Sequence, residues 1–326
     1  MDVSRVTLSV CICTHNPRGD ILRSAIRAIA DQTVASSEFT VLIVDNASSP
    51  RISEDVLIPL KERGIEARLV YEESLGIARA RARAIRETKS PWILWVDDDN
   101  ELAADYLAAG YVFMTANHDV GCFGGRLLLP VYLKPRPWVW PFLPYLAIKD
   151  EGEKVLYGNG EHWESCEPPC AGAWVARIIA ERYRAACEDG DGRLFRLGRV
   201  GSGSLASSED SLMMRGSFDL KMRIAYVPGL RLWHHLDPRR FRFGYLLRLM
   251  YAYGSSHVVL ESILQRRPAS IPDHYRSISR FSKMLMYIVR TEWTKSAAFT
   301  VGLVAYHAGV WREYRASARR RAGEMK

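Results

Sequence analysis

Three consecutive aspartates, Asp97-Asp98-Asp99, end an apolar run that begins at Trp92. The run is short, apolar and preceded by Pro91, which predicts a buried strand rather than a helix. Ligands of open α/β sheets bind outside the carboxyl ends of the strands, so these acids stand where chemistry is done. On an extended segment alternate side chains share a face, which puts Asp97 and Asp99 on one side and Asp98 on the other. Two carboxylates facing the same way repel unless a cation neutralises them. A hard divalent ion with oxygen ligands, Mn²⁺ or Mg²⁺, fits, and such an ion can bridge a diphosphate and stabilise it as a leaving group. The competing reading is a helix N-terminus, with Asn100 capping a helix expected from about Glu101-Leu102. One acid would serve that purpose, and three exceed it.

The elements needed to position such a site are legible in the first half of the chain. Val6 to Cys13, Phe39 to Val44, Ala67 to Tyr71 and the Trp92 run read as strands. Between them, Asp20 to Ala30, Ser53 to Arg63 and the arginine-studded Gly76 to Thr88 read as helices. Such alternation predicts an α/β fold with a mostly parallel central sheet flanked by helices. Two common phosphate cradles, Gly-x-Gly-x-x-Gly and Gly-x-x-x-x-Gly-Lys-Ser/Thr, are missing. The first strand instead runs into the polar loop Thr14-His15-Asn16-Pro17-Arg18.

From Gly124 to Cys170 the chain is rich in Pro and Trp, which disfavours regular elements. Its aromatics suit either a platform for a sugar ring or lipid chain, or core packing. Gly201-Ser202-Gly203-Ser204 is a turn leading to Ser207-Ser208-Glu209-Asp210, with a helical pattern from Ser211 onward. Beyond about Phe241 the chain reads as helical, with later helices over Ser279 to Arg290 and Ala297 to Trp311. We therefore divide it into residues 1–240, a catalytic domain, and 241–326, a helical extension with a basic tail.

A chain of 326 residues with nearly half its residues apolar buries a large core. The net charge of +8 is concentrated at the end, where Arg312, Arg315, Arg319, Arg320, Arg321 and Lys326 face only Glu313 and Glu324. A basic, amphipathic end suits an anionic membrane surface as well as it suits a solvated tail, and the apolar run of the last helix is too short to span a bilayer. The six cysteines show no zinc-type pairing, and Pro168-Pro169 argues against a zinc site of His162, Cys166 and Cys170. With no leader before the first strand, a reducing cytoplasm is expected, with a peripheral place at the inner face of the plasma membrane as its extension.

Taken in order, the motifs Val10-Cys11-Ile12-Cys13-Thr14-His15-Asn16, Ile43-Val44-Asp45-Asn46-Ala47-Ser48, Gly76-Ile77-Ala78-Arg79-Ala80-Arg81, Trp95-Val96-Asp97-Asp98-Asp99-Asn100-Glu101, Cys170-Ala171-Gly172-Ala173 and Ser208-Glu209-Asp210 resemble those of inverting, family-2-type glycosyltransferases. The resemblance covers roughly residues 7 to 250. It implies the GT-A nucleotide-diphospho-sugar transferase fold, with the C-terminal helical extension added to it.

By that resemblance Thr14, Asn16 and Asp45 line a nucleotide pocket, where a carboxylate accepts hydrogen bonds from base or ribose. For Asp45 an Asx-turn closing the strand is the alternative. Arg81 sits by the diphosphate, although the Asn that usually follows it is Ala82 here, and Arg79 and Arg83 offer other cations or a solvated helix face. Asp97 contacts ribose or sugar. Asp98, turned the other way, belongs to the same donor region in a structural part. Asp99 and a late histidine, His234 rather than His235, hold the metal. Asp210, with Glu209 before it, is the general base, or the pair simply complements a helix N-terminus. Gly172, Ala173 and Trp174 meet the acceptor.

The resemblance implies a hexosyltransferase-type enzyme using a nucleotide-diphospho-sugar, a UDP-sugar by first expectation, with a glycan, lipid-linked or small-molecule acceptor in cell-envelope or exopolysaccharide synthesis, and no nucleic acid. The alternatives are a sugar nucleotidyltransferase, which calls for an early Gly-rich basic loop where Thr14-His15-Asn16 stands, and a catalytically inactive sugar-nucleotide-binding scaffold.

Overall fold

The computed structural model describes residues 7–160, 163–189, 192–201, 203–265, 272–293 and 296–324. Val6, His162, Ser202 and Lys326, singled out in the sequence, lie outside the described residues. In chain order the elements are β1 (Leu8–Thr14), α1 (Gly19–Ala30), β2 (Phe39–Asn46), α2 (Ile58–Glu62), β3 (Glu66–Glu72), α3 (Ile77–Glu87), β4 (Trp92–Val96) and β5 (Asn100–Leu102). They continue with α4 (Tyr106–Ala116), β6 (Val120–Leu128), β7 (Leu156–Gly158), β8 (Ala173–Ala176), α5 (Arg177–Glu188), α6 (Glu209–Asp219), β9 (Arg223–His234), α7 (Phe243–Leu264), α8 (Ile278–Glu292) and α9 (Ala297–Glu324).

The sheet runs β3-β2-β1-β4-β8-β6-β9-β5, with β7 paired to β9. The α/β class of the sequence reading stands. The sheet is parallel over β3-β2-β1-β4 and mixed beyond, because β8 runs antiparallel to both β4 and β6 while β9 is parallel to β6. β1 and β2 are buried on both faces, which is why they read as continuous apolar runs. α1 buries Leu22, Ala25, Ile26, Ile29 and Ala30, a single stripe at helical spacing.

Three expected elements differ. The helix over Ser53 to Arg63 is a 3-10 turn (Glu54–Leu57) followed by the short α2, whose early Pro59 has no N–H to give. The helix expected from Glu101 is instead the three-residue strand β5, and α4 starts only at Tyr106. The Pro-rich stretch Pro137–Leu146 is a continuous 3-10 helix, with Phe142 buried and Trp138 packed edge-on against Phe142 and Phe243.

The chain forms two compact units. One comprises Met1–Leu133, Ala147–Asp191 and Asp210–Leu236 and holds the whole sheet; the other comprises Lys134–Leu146, Gly192–Glu209 and Asp237–Lys326. In the second unit α7 and α9 cross at two glycines. A Cβ on Gly254 would lie 1.9 Å from the Tyr306 carbonyl oxygen, and one on Gly309 would lie 2.0 Å from that of Tyr251. The basic end is helical as far as residue 324, and both Arg196 and Arg320 pair with Glu313 at 2.6 Å. Gly309→Ala is expected to force the two helices apart and lower stability by about 1–3 kcal/mol in thermal unfolding. Gly244→Ala, whose Cβ would meet nothing within 4 Å, should not lower it.

Candidate active site

β1, β2 and β4 run parallel and in register, so their carboxyl ends share one edge of the sheet, with Thr14 alongside Asp45. β9 arrives at the same edge, because it is parallel to β6, which is antiparallel to β8, itself antiparallel to β4. The end of β9 is fixed by β5, where Asn100 pairs with His234.

The three aspartates do not continue β4. The Asn100 N–H donates to the Asp97 carbonyl at 3.1 Å, closing a tight turn, and the buried Asn100 side chain accepts from the Asp97 N–H, also at 3.1 Å. A turn abolishes strand alternation, so each carboxylate finds its own partner. Asp97 lies 3.9 Å from the Arg81 guanidinium. Asp98 accepts from the Thr14 hydroxyl. Asp99 lies 3.2 Å from His234 Nε2 and 3.9 Å from Arg18. The alternation expected of an extended segment is therefore replaced by a turn, in which Asp98 holds the buried Thr14.

His234 and His235 separate into different roles. His234 Nδ1 faces the Ala147 carbonyl at 3.3 Å and Nε2 faces Asp99 at 3.2 Å; carbonyl and carboxylate both only accept, so each ring nitrogen is placed to donate, and a metal ion at Nε2 would take the place of its proton. His235 lies 2.8 Å from Glu101 and 2.5 Å from the Tyr132 hydroxyl, and its backbone N–H donates to the Asp99 carbonyl at 2.8 Å. Arg18, on the loop after β1, donates to the His235 carbonyl while facing Asp99. The sequence placed Arg18 only in a polar loop that could line a ligand pocket, with no role of its own. Its only signal was a cation placed just past a strand end.

On the neighbouring strand end, both Asp45 oxygens accept backbone N–H groups, from Ser48 at 3.0 Å and Ile52 at 2.9 Å. This is the turn-closing arrangement weighed as the alternative. Asn46, also without an expected role, accepts from the Gly76 N–H and donates to the Glu72 and Ser74 carbonyls, clipping the loop that leads into α3. The Asn16 side chain accepts from the Ser49 N–H at 2.8 Å, tying the β1 and β2 loops together. Of the four arginines on α3, Arg81 is buried and faces Asp97, Arg79 is exposed, Arg83 pairs with Glu87 and Arg86 with Glu188.

The acceptor residues expected after Cys170 are corrected. Trp174 and Ala173 are 0 % exposed, and Trp174 stacks on Phe123 at 5.4 Å inside the core. Gly172, at φ +75°, donates to the Trp95 carbonyl and accepts from the Tyr106 hydroxyl at 2.5 Å. A Cβ there would lie 2.4 Å from Leu232, so the close approach that glycine permits is to the protein's own core. Burial pushes the Tyr106 hydroxyl far above its usual range, which keeps it a donor to that carbonyl. Asp210 is the second residue of α6, where Oδ1 accepts the N–H of Ser211 at 2.8 Å, and Glu209 before it is buried.

The aspartate turn sets three acids against Arg18 and Arg81, so a diphosphate, itself anionic, needs further positive charge to settle there. Among the described residues no cluster of three or more His, Cys, Asp or Glu gathers at one point. Asp99 and His234 are two donors at one point. That set fits Mn²⁺ or Mg²⁺, which are usually bound by few side chains and completed by substrate phosphates and water. A cleft of about 660 Å³ lined by Ser9, Thr40, Arg68 and Glu87 lies at the opposite, amino-terminal ends of the strands.

This strand order, with an acid-rich turn facing a histidine at the carboxyl edge, is the GT-A-like α/β arrangement that the sequence led one to expect. Residues 9–162 match the sequence profile described as glycosyl transferase family 2. The mannosyltransferase PcManGT from Pyrobaculum calidifontis, solved in complex with GDP-Man and Mn²⁺, is 16 % identical with a TM-score of 0.53, over 99 % of this chain and 88 % of that one. S. aureus TarS 1–349 in complex with UDP is 15 % identical with a TM-score of 0.49, over 97 % and 91 %. No curated protein matches the sequence. Among the described residues no helix is long and apolar enough to cross a membrane.

Proposed function

We propose that the protein moves a sugar from a nucleotide-diphospho-sugar, a UDP-sugar first among the donors, to an acceptor hydroxyl with inversion at the anomeric carbon. The observation that carries this reading is the Asp99–His234 pair at 3.2 Å, with His234 held by the Ala147 carbonyl and Asp99 by the His235 N–H. Asp99 and His234 would hold Mn²⁺ or Mg²⁺; bound there, the ion supplies positive charge against the departing diphosphate. Arg81 and Arg18 add fixed cations on either side of the turn. Thr14, Asn16, Asp45, Asp97 and Asp98 line the donor side, and Asp210 takes the proton of the attacking hydroxyl. The fold shared with PcManGT, whose structure holds GDP-Man and Mn²⁺, supports the same donor class. A glycan or lipid-linked acceptor of the cell envelope or an exopolysaccharide suits the basic, helical C-terminal unit.

Calorimetric titration of a panel of sugar nucleotides is expected to show one that binds at least about tenfold tighter with Mn²⁺ than without. Failure of every donor to bind in the presence of metal overturns the reading. A donor bound but transferred to no acceptor identifies an inactive sugar-nucleotide-binding scaffold instead.

A further inference from the structure

For the helix from Ala297 the sequence left two readings, a place in a membrane interface beside the basic tail or packing against the rest of the protein, and part of that helix is packed. α9 buries Thr300, Val310 and Tyr314 and crosses α7 at the Gly254–Gly309 contact. Besides Trp140, Val200 and Phe243, the exposed large apolar side chains of this unit are grouped on α8 and at its end, and α8 is apolar on two sides. Its inner stripe packs inward: Phe281 stacks on Trp311 of α9 at 5.4 Å and 15°, and Met284 joins the cluster of Val258, Tyr275, Val310 and Tyr314.

The outer stripe consists of Ile278, Met286, Val289 and Trp293, at i, i+8, i+11 and i+15, one line along a helix. These side chains are 66, 55, 40 and 54 % exposed. Met286, Val289 and Trp293 group at the end of α8, Ile278 stands apart beyond the polar Ser282, and Tyr287 is exposed on another face; an exposed apolar group of this kind marks an interaction site. Lys283 and Arg290, both exposed, border the stripe on α8 itself. From α9, Arg315 stands over the Trp311 ring at 5.1 Å, on the residue against which Phe281 stacks.

The charges choose among occupants. A two-fold contact with a second copy would set the Lys283 and Arg290 of each chain against the same residues of the other, which is repulsive. An anionic bilayer pairs those cations with lipid phosphates and takes the apolar stripe and its terminal Trp at headgroup depth. Because no described helix can span a membrane, the helix would lie in the plane of the interface. We propose that α8 docks this protein on an anionic lipid surface through the Ile278–Trp293 stripe, with Lys283 and Arg290 on lipid phosphates. The contact stands independently of sugar transfer.

The test is co-sedimentation of the full chain with vesicles of phosphatidylcholine containing about one-third phosphatidylglycerol, with no donor or acceptor present. The wild type is expected to sediment with these vesicles at low salt and to leave them at high salt. Met286→Glu/Trp293→Glu is expected to reduce the bound fraction at least about tenfold with an unchanged thermal midpoint, because both side chains are exposed. Lys283→Glu/Arg290→Glu should do the same on anionic vesicles. A wild type that stays in the supernatant overturns the proposal, as does a Met286→Glu/Trp293→Glu variant that sediments like wild type. Dimers seen by light scattering that this variant converts to monomers, without vesicle binding by either, would assign the stripe to a second copy and overturn it equally.

Discussion

Asp210→Asn is expected to lower the transfer rate by at least about 100-fold and to leave donor affinity within about twofold of wild type. The substitution is isosteric, and its one clear structural duty survives, because an amide oxygen accepts the Ser211 N–H as the carboxylate does. What the amide cannot do is take a proton. General bases supply on the order of 10²–10⁴ in rate, so the loss should appear in kcat and not in the donor KM. Inversion makes the demand geometric as well. The acceptor oxygen enters opposite the departing diphosphate, so its base must stand apart from the aspartate turn, and Asp210 stands on a different element at the first turn of α6. The measurement is nucleoside diphosphate release at saturating donor, with calorimetry for binding. Full activity removes Asp210 as the base; loss of donor binding along with activity would move it into the donor pocket.

Much of this arrangement was legible because burial on both faces leaves a continuous apolar signature, as in β1, β2 and β4. The polar residues that interrupt those runs at their carboxyl ends, Thr14, Asp45 and Asp97, were legible for the same reason. What the sequence concealed has physical causes. β5 is three residues long, too short to show a period, and its presence after the turn at Asp97–Asn100 is what redirects Asp98 to Thr14. Trp174 follows Gly172 in a motif that the resemblance set against the acceptor, but a sequence motif does not distinguish the inner face of β8 from its surroundings, and here the indole stacks on Phe123. Arg18 carries no periodic signal at all. Its role emerges only when β9, more than two hundred residues later, delivers His234 and His235 to the same strand ends.

Asp99→Ala is expected to weaken Mn²⁺-dependent donor binding by at least about 100-fold, a larger loss than the 10–100-fold typical of removing a residue that merely supports a ligand. Asp99 is held in place by groups other than the one it would bind: its carbonyl accepts the His235 N–H at 2.8 Å, and Asn100 closes the turn that presents it. His234 is held in the same manner, its Nδ1 placed to donate to Ala147, so that Nε2 and the Asp99 carboxylate already meet where an ion replacing the Nε2 proton would bind both. Removing the carboxylate leaves one imidazole at the point of convergence, and it leaves Arg18 facing His234 without the acid that lay between them. His234→Gln should lose Mn²⁺ dependence in the same direction while keeping Asp99 and Arg18 in contact, so the pair of variants separates loss of a ligand from disturbance of the loop. Donor titrations with and without Mn²⁺ decide the matter. If adding Mn²⁺ still tightens donor binding in Asp99→Ala as it does in the wild type, Asp99 is not a ligand, and its contact with His234 serves only to fix the end of β9 against the turn.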